Sequence, residues 1–362
     1  MEKKIKVGVI GATGMIGQNY LRLLSYHPWF EVVFLAASPN SAGKKYADAV
    51  AGRWHMNEDI PDEYKDIVVE DASDVSKAAG KCRIMFSAVE MDKKAIMALE
   101  EEYARRGFAV VSNNSAHRRT DDVPVMIPEI NHSHLEIIPQ QRKQRGWQEG
   151  LLVVKPNCSI QSYMLPLYAI LRKGYRIDAM IVTTLQAVSG AGYPGPASID
   201  LIDNVVPYIG GEEEKSEVEP AKILGKVEGG KILSDDTIKI SAHCNRVPVS
   251  DGHIACCSIR FAGKKPLAEE IIDIWREFSS VPQELRLPSA PIPPIIYRGE
   301  NDRPQPRADR DAGNGMAVTV GRLRPCNVFD YRFAGLHHNT VRGAAGGSIL
   351  TAELLVAKGY IK

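Results

Sequence analysis

One cysteine stands where its sulfur could react. The segment Lys155-Pro156-Asn157-Cys158-Ser159-Ile160-Gln161 follows a short apolar run, Leu151 to Val154, that reads as a buried strand, and it opens a helical pattern from Ser159 to about Lys173. At a helix start the unpaired N–H groups and the positive end of the dipole favour thiolate over thiol, and the thiolate is the nucleophile. Asn157 adds an amide donor beside the sulfur, suited to an oxygen that turns negative when a carbonyl carbon is attacked. A free cysteine also packs as a small hydrophobe, so the rest of the chain must decide between the two readings. Thiolate chemistry needs a proton carrier near neutral pH, and of nine histidines His253 has the best setting. It opens an alternating strand after Asp251-Gly252, with Arg246 a few residues earlier in Asn245-Arg246-Val247-Pro248. Arginine and histidine on one connection can bind a carboxylate and move a proton side by side.

A second constellation lies at the start of the chain. The strand Ile5 to Ile10 enters Gly11-Ala12-Thr13-Gly14-Met15-Ile16-Gly17, and a helical pattern follows from Gln18 to Ser25. Strand, glycine turn and helix in that order form a dinucleotide-binding beginning, with the phosphates on the helix N-terminus. The next strand, Glu31 to Ala37, lacks at its end the acid that grips the ribose 2′-hydroxyl of NAD. Ser38-Pro39-Asn40-Ser41 followed by Lys44 and Lys45 suits a 2′-phosphate instead, so NADP is the expected cofactor. The two lysines serve that phosphate or simply face solvent. Two further strand ends belong to the same crevice: Ser87 after Arg83 to Phe86, and Ser112 to Arg119, with paired arginines, after Phe108 to Val111.

Positioning these groups needs more than one domain, and 362 residues with 25% charged side chains supply it. The expected fold is α/β: an N-terminal Rossmann domain over residues 1–156 and 340–362, and an α+β catalytic domain over 157–339, to which the resemblance named below adds dimerisation. Alternating runs such as Asp178 to Val188 and His253 to Phe261 predict an antiparallel sheet in the second domain, covered on one face. A helix is expected from Ala197, a polar turn over Gln140 to Gly150, and a proline-rich wrap over 280–315. By composition alone, Glu212 to Lys215 reads as a solvated charge run. The net charge of +1 argues against nucleic acid, and no apolar run approaches the ~18 residues of a membrane span. Met1-Glu2-Lys3-Lys4 carries no signal core, so a cytoplasmic location is expected. Six cysteines without a C-x-x-C pair predict neither a metal site nor disulfides.

In these motifs the chain resembles the aspartate-β-semialdehyde dehydrogenases, in particular their archaeal and fungal branch. The resemblance runs from Val7 to the C-terminal helix. It rests on Gly11-Ala12-Thr13-Gly14, Ser112-Asn113-Asn114-Ser115-Ala116-His117-Arg118, Pro156-Asn157-Cys158-Ser159, Gln186 to Gly192, Asn245-Arg246-Val247-Pro248 with Asp251-Gly252-His253, Arg303 to Arg307, and Asn339 to Ala344. It implies NADPH-dependent reductive dephosphorylation of L-aspartyl-4-phosphate, feeding lysine, methionine and threonine synthesis, in a homodimer or homotetramer. It further implies Cys158 as acyl-thioester nucleophile, His253 as general acid/base and Gln186 as the side chain orienting the acyl group. Arg246 would bind the substrate carboxylate, Arg118 the phosphate, and Glu212 and Lys215 the substrate amine and phosphate, with the register inside Glu212 to Glu214 open. Gly11, Thr13, Gly14, Met15, Ile16, Ser38, Ser41, Gly190 and Asn339 would contact the cofactor. The nearest rival family, the N-acetyl-γ-glutamyl-phosphate reductases, has its nucleophile in a Gly-Cys-Tyr setting, whereas this chain has Asn157-Cys158-Ser159. An NADP-binding redox sensor would have no use for His253, Arg246 and Gln186 together.

Overall fold

A computed structural model describes residues 4–361. Met1 to Lys3 and Lys362, which the sequence places in the cofactor-binding part, lie outside the described residues. Short, mostly apolar runs build the first sheet, with β3 a polar edge strand: β1 (Ile5–Ile10), β2 (Phe30–Ala37), β3 (Val69–Asp71), β4 (Ile84–Ser87), β5 (Ala109–Ser112) and β6 (Leu151–Val154). All neighbours pair in parallel, in the order β3-β2-β1-β4-β5-β6. Strand order reverses beside β1, and the crevice outside the strand carboxyl ends at that reversal is where such sheets bind ligands. The first connections run through α1 (Met15–Leu24) and α2 (Lys93–Arg105). The expected polar turn before β6 is instead α3 (Ile138–Arg145), stopped by Gly146 at φ 65°. Its inward side carries little apolar surface because Gln141 does the joining, donating to Asp122 O and Leu152 O at 2.8 and 2.9 Å.

After β6 come α4 (Gln161–Arg172), β7 (Ile177–Gln186), α5 (Glu212–Ile223) and a small hairpin of β8 (Lys226–Glu228) and β9 (Lys231–Leu233). The second large sheet adds β10 (Lys239–Arg246), β11 (His253–Phe261), β12 (Ile295–Arg298), β13 (Val318–Pro325) and β14 (Tyr331–His337), with α6 (Ala268–Arg276) between β11 and β12. Its order is β10-β7-β11-β14-β13-β12. The antiparallel expectation holds only for the centre: β10 pairs parallel to β7, and β12 parallel to β13. A parallel neighbour needs a crossover, and α5 with the hairpin supplies it between β7 and β10. The proline-rich 280–315 stretch is likewise more than a wrap, because β12 completes the sheet's edge. The helix expected from Ala197 shrinks to one turn, Ser198–Asp200. On β11, Cys257 faces the core and Cys256 is exposed, as alternation requires.

Two packing contacts fix the geometry around the sulfur. Helix α4, just after Cys158, lies so close to β14 that a Cβ on Gly335 would sit 2.0 Å from Ser162 O. Helix α7 (Gly346–Ala357) returns to the first sheet, where Ile349, Leu350 and Leu354 share a core with Val7 and Val9 of β1. Each such side chain contributes about 1.5–3 kcal/mol by burial, so the last helix is held firmly against the first sheet. Gly335→Ala should push α4 off the sheet and destabilise the protein by about 1–3 kcal/mol, read as a lower urea midpoint at unchanged slope. A variant as stable as the parent would show that α4 can shift freely.

Candidate active site

One cleft of about 970 Å³ runs from the glycine turn to the cysteine. Gly11, Thr13, Gly14, Met15 and Ile16 form one wall. Gly11 has φ +82°, and a Cβ there would stand 2.3 Å from Ala88 O; on Gly17 it would stand 2.2 Å from Gly11 O. Gly14 precedes α1 with no side-chain cap and no acid in the first turn, so the helix N–H groups stay available to an anion. These features fit a dinucleotide pyrophosphate. Ser38 lies on the wall at the end of β2, and so do Arg53 and His55, which the sequence reading missed. Neither Lys44 nor Lys45 lines the cleft; Lys45 pairs with Asp66 at 2.8 Å on the surface. Arg53 is a cation on that wall, its Nη2 3.5 Å from Ser41 Oγ just past β2, and nothing in its spacing from the strand signals it. Ser41 and Ser87 lie off the wall and are buried. Ser87 donates to the buried carboxylate of Glu100 at 2.6 Å, and Ser112 joins it at 2.6 Å.

Cys158 sits in the turn before α4, its carbonyl accepting from Gln161 N at 3.2 Å. The helix starts later than expected, so the sulfur does not crown its first turn. Burial pushes the thiol up and Glu212 adds to this, while Lys155, Arg118 and Arg246 pull the other way. Cys158 Sγ lies 3.5 Å from His253 Nε2. The Ala187 N–H donates to His253 Nδ1 at 3.0 Å, which leaves the ring's proton on Nε2, facing the sulfur. Burial, with Arg246 nearby, pushes His253 down to about 3. A neutral ring with its proton on Nε2 donates a hydrogen bond there but has no lone pair to accept the thiol's proton.

The remaining side chains converge from α5 and β10. Spacing of helical period puts Glu212, Lys215, Ser216 and Glu219 toward the cysteine loop, so the charge run is the first turn of an inward-facing helix. Of the three glutamates Glu212 is the one that bonds Asn157 and Gln186, whereas Glu213 accepts from Cys244 N at 3.0 Å. Glu212 accepts from Lys215 Nζ (2.9 Å), Asn157 Nδ2 (2.8 Å) and Gln186 Nε2 (3.3 Å). Burial opposes its charge, but Lys215 and these hydrogen bonds outweigh it and hold its carboxyl below the usual range. Asn157 is thus oriented by Glu212 and, through Oδ1, by Ser159 N at 2.7 Å, with one of its two Nδ2 hydrogens committed. Arg118 donates to Lys155 O (2.9 Å), Glu219 (2.9 Å) and Asn113 O (3.2 Å). Glu219, also missed, accepts from Asn157 N at 2.6 Å with its other oxygen. Arg246 reaches across to Ala187 O at 2.6 Å, and Gly190 lies against Arg246 and His253. Asn339 lines the cleft, but its amide is engaged, accepting from Gly252 N and donating to Ser189 Oγ, both at 2.8 Å.

A parallel sheet with a glycine turn, facing a cysteine across one cleft, defines a class: dinucleotide-binding proteins with a thiol at the cofactor crevice. Two family models match, the semialdehyde dehydrogenase NAD binding domain over residues 6–138 and the semialdehyde dehydrogenase dimerisation domain over 167–342. The chain belongs to the semialdehyde dehydrogenase family. It is 45% identical to the aspartate-semialdehyde dehydrogenase of Archaeoglobus fulgidus, over 99% of this chain and 100% of that one. With that of Cryptococcus neoformans it is 43% identical over 99% of both. The crystal structure of aspartate semialdehyde dehydrogenase with NADP from Candida albicans has a TM-score of 0.89 at 41% identity, covering 99% of this chain and 100% of that one.

Two outcomes test this geometry. His253 should show the Nε2–H tautomer and no titration between about pH 5 and 8 in nitrogen-15 NMR; a shift moving through the ordinary imidazole range would contradict it. Because its folded value lies below its unfolded one, the neutral ring makes the fold lose stability as pH falls from about 6.5 toward 3. Glu219→Leu should strand the buried Arg118 charge and cost about 3–5 kcal/mol in chemical denaturation.

Proposed function

We propose that this chain reduces L-aspartyl-4-phosphate to L-aspartate 4-semialdehyde with NADPH, through a thioester on Cys158, in lysine, methionine and threonine biosynthesis. The observation that carries this reading is the Cys158–His253 contact at 3.5 Å, on the cleft that also receives the uncapped start of α1. The NADP in the Candida albicans relative's structure and the Arg53 guanidinium near the β2 end favour NADP over NAD.

In the proposed reaction the Cys158 thiolate attacks the acyl carbon, and the oxygen that gains charge receives a hydrogen bond from His253 Nε2–H. Phosphate leaves on the side of Arg118 and Lys215 and takes one proton from solvent. Arg246 binds the α-carboxylate, Glu212 accepts from the substrate ammonium, and Gln186, bonded to Glu212, sets the carboxylate's orientation. Bound NADPH supplies a hydride to the thioester carbon. Collapse of the resulting alkoxide releases the aldehyde and returns Cys158 as thiolate, so His253 need never carry a net charge. The protein would act in the cytoplasm as a homodimer or homotetramer through the 167–342 region, which matches a dimerisation domain.

The deciding assay is phosphate-dependent reduction of NADP with L-aspartate semialdehyde, run beside N-acetylglutamate semialdehyde. Activity with the first alone supports the proposal, and activity with the second alone moves the protein to the other reductase family. Cys158→Ser should lower turnover about 10³-fold or more with NADP affinity kept. Arg53→Ala, losing a charge-assisted contact of about 1.5–3 kcal/mol, should raise the KM for NADP about 10–100-fold and leave that for NAD in place. Equal effects on both cofactors would remove Arg53 from the 2′-phosphate site.

A further inference from the structure

We infer that Asp71, at the end of β3, selects the base of the cofactor by accepting a hydrogen bond from the 6-amino group of adenine. The inference rests on NADP lying in the cleft and adds which part of the wall recognises its base. Two fixed points place that base. The nicotinamide must stand beside Cys158, past the ends of β5 and β6, and the pyrophosphate belongs to the glycine turn at the start of α1. The adenosine half therefore falls on the other side of β1, past β2 and β3. The cleft wall there holds Pro39, Asp71, Ala72 and Ser73, with Val89 from the loop after β4. Ala72 and Val89 are buried and, with Pro39, offer apolar surface to the faces of a planar ring. Asp71 brings a carboxylate to the same wall.

That carboxylate is held in a defined orientation. Ser73 N and Ser73 Oγ both donate to Asp71 Oδ1, at 2.8 and 2.7 Å, which leaves Oδ2 to the cleft. The turn itself is tied to β2, since Ala72 N donates to Ala37 O at 2.9 Å. Successive strand residues point to opposite faces, and the two acids of β3 differ accordingly. Glu70 pairs with Lys81 at 3.6 Å and does not line the cleft, whereas no lysine or arginine of the described residues comes within 4.0 Å of the Asp71 carboxylate. Glu90, the other carboxylate on this part of the wall, is exposed, while Asp71 is half-buried. An oriented acceptor without a counter-ion fits a neutral donor. Adenine carries such a donor, its 6-amino group; hypoxanthine carries a carbonyl oxygen at the same position, which a carboxylate oxygen repels.

The test uses the full-length protein without substrate and follows binding by nicotinamide fluorescence, with NADPH and with reduced nicotinamide hypoxanthine dinucleotide phosphate. The parent should bind NADPH about 10–100-fold more tightly, the worth of one charge-assisted hydrogen bond. In Asp71→Asn, Ser73 still holds the side-chain oxygen, so Nδ2 takes the place of Oδ2 and meets the base as a donor. The preference should then vanish or turn toward hypoxanthine, with the thermal midpoint of the cofactor-free protein unchanged. Equal affinities in the parent, or the parent's ratio kept in Asp71→Asn, overturns the inference. The parent's own ratio is read without any variant, so the first of these outcomes does not depend on how Asp71→Asn folds. If NADPH itself fails to bind, the cofactor assignment falls and this inference with it; if both dinucleotides bind alike, only the inference falls. Aspartate semialdehyde enters neither measurement, so the proposed reaction is judged separately.

Discussion

The Glu219 carboxylate, clamped between the Arg118 guanidinium and the Asn157 N–H, is the constraint on which the site depends. Three parts of the chain meet there: the loop after β5, the cysteine turn after β6, and α5 from the second half. Each partner is buried, and a buried charge is tolerated only when matched and hydrogen-bonded. The match therefore fixes α5 against the cysteine turn, and with α5 comes Glu212, whose Lys215, Asn157 and Gln186 donors are set by the same placement.

Dryness shapes the chemistry more than any single charge does. In water a thiol and an imidazole titrate within a few units of each other, and an ion pair between them forms easily. Here burial favours the neutral form of both. A backbone N–H then fixes which ring nitrogen carries the proton, so the neutral ring presents a fixed donor. Such a donor needs no reorganisation when charge appears on the substrate oxygen.

Much of the fold was legible where physics acts locally. Apolar runs bounded by turns located β1, β2, β4, β5 and β6, and the glycine turn announced its own function because close backbone approach tolerates nothing larger. Cys158, His253, Arg246 and Gln186 were found from local context and resemblance, and the fold gathers them. What was illegible depends on partners far away in sequence. The charge run at Glu212 looked solvated because its neighbours, Asn157 and Gln186, arrive from other elements, although the period linking Glu212, Ser216 and Glu219 was there to be read. The bond from Asn157 to Glu212 was hidden for the same reason. Helix α3 carries almost no apolar stripe and so passed for a turn, and Arg53 comes to the cleft by a loop whose course no periodicity encodes.

Asn339 ties Gly252 and Ser189 together, and β14, ending at His337, lies between β11 and β13. The cysteine is made less than halfway along the chain, yet the loops that seat its histidine, joined to each other by Val188 N to Val249 O at 2.8 Å, are fastened also by a residue close to the end. During synthesis the thiol thus emerges long before its surroundings exist. An unfinished chain therefore holds Cys158 without part of the frame that surrounds it in the complete fold, whatever the state of the first sheet.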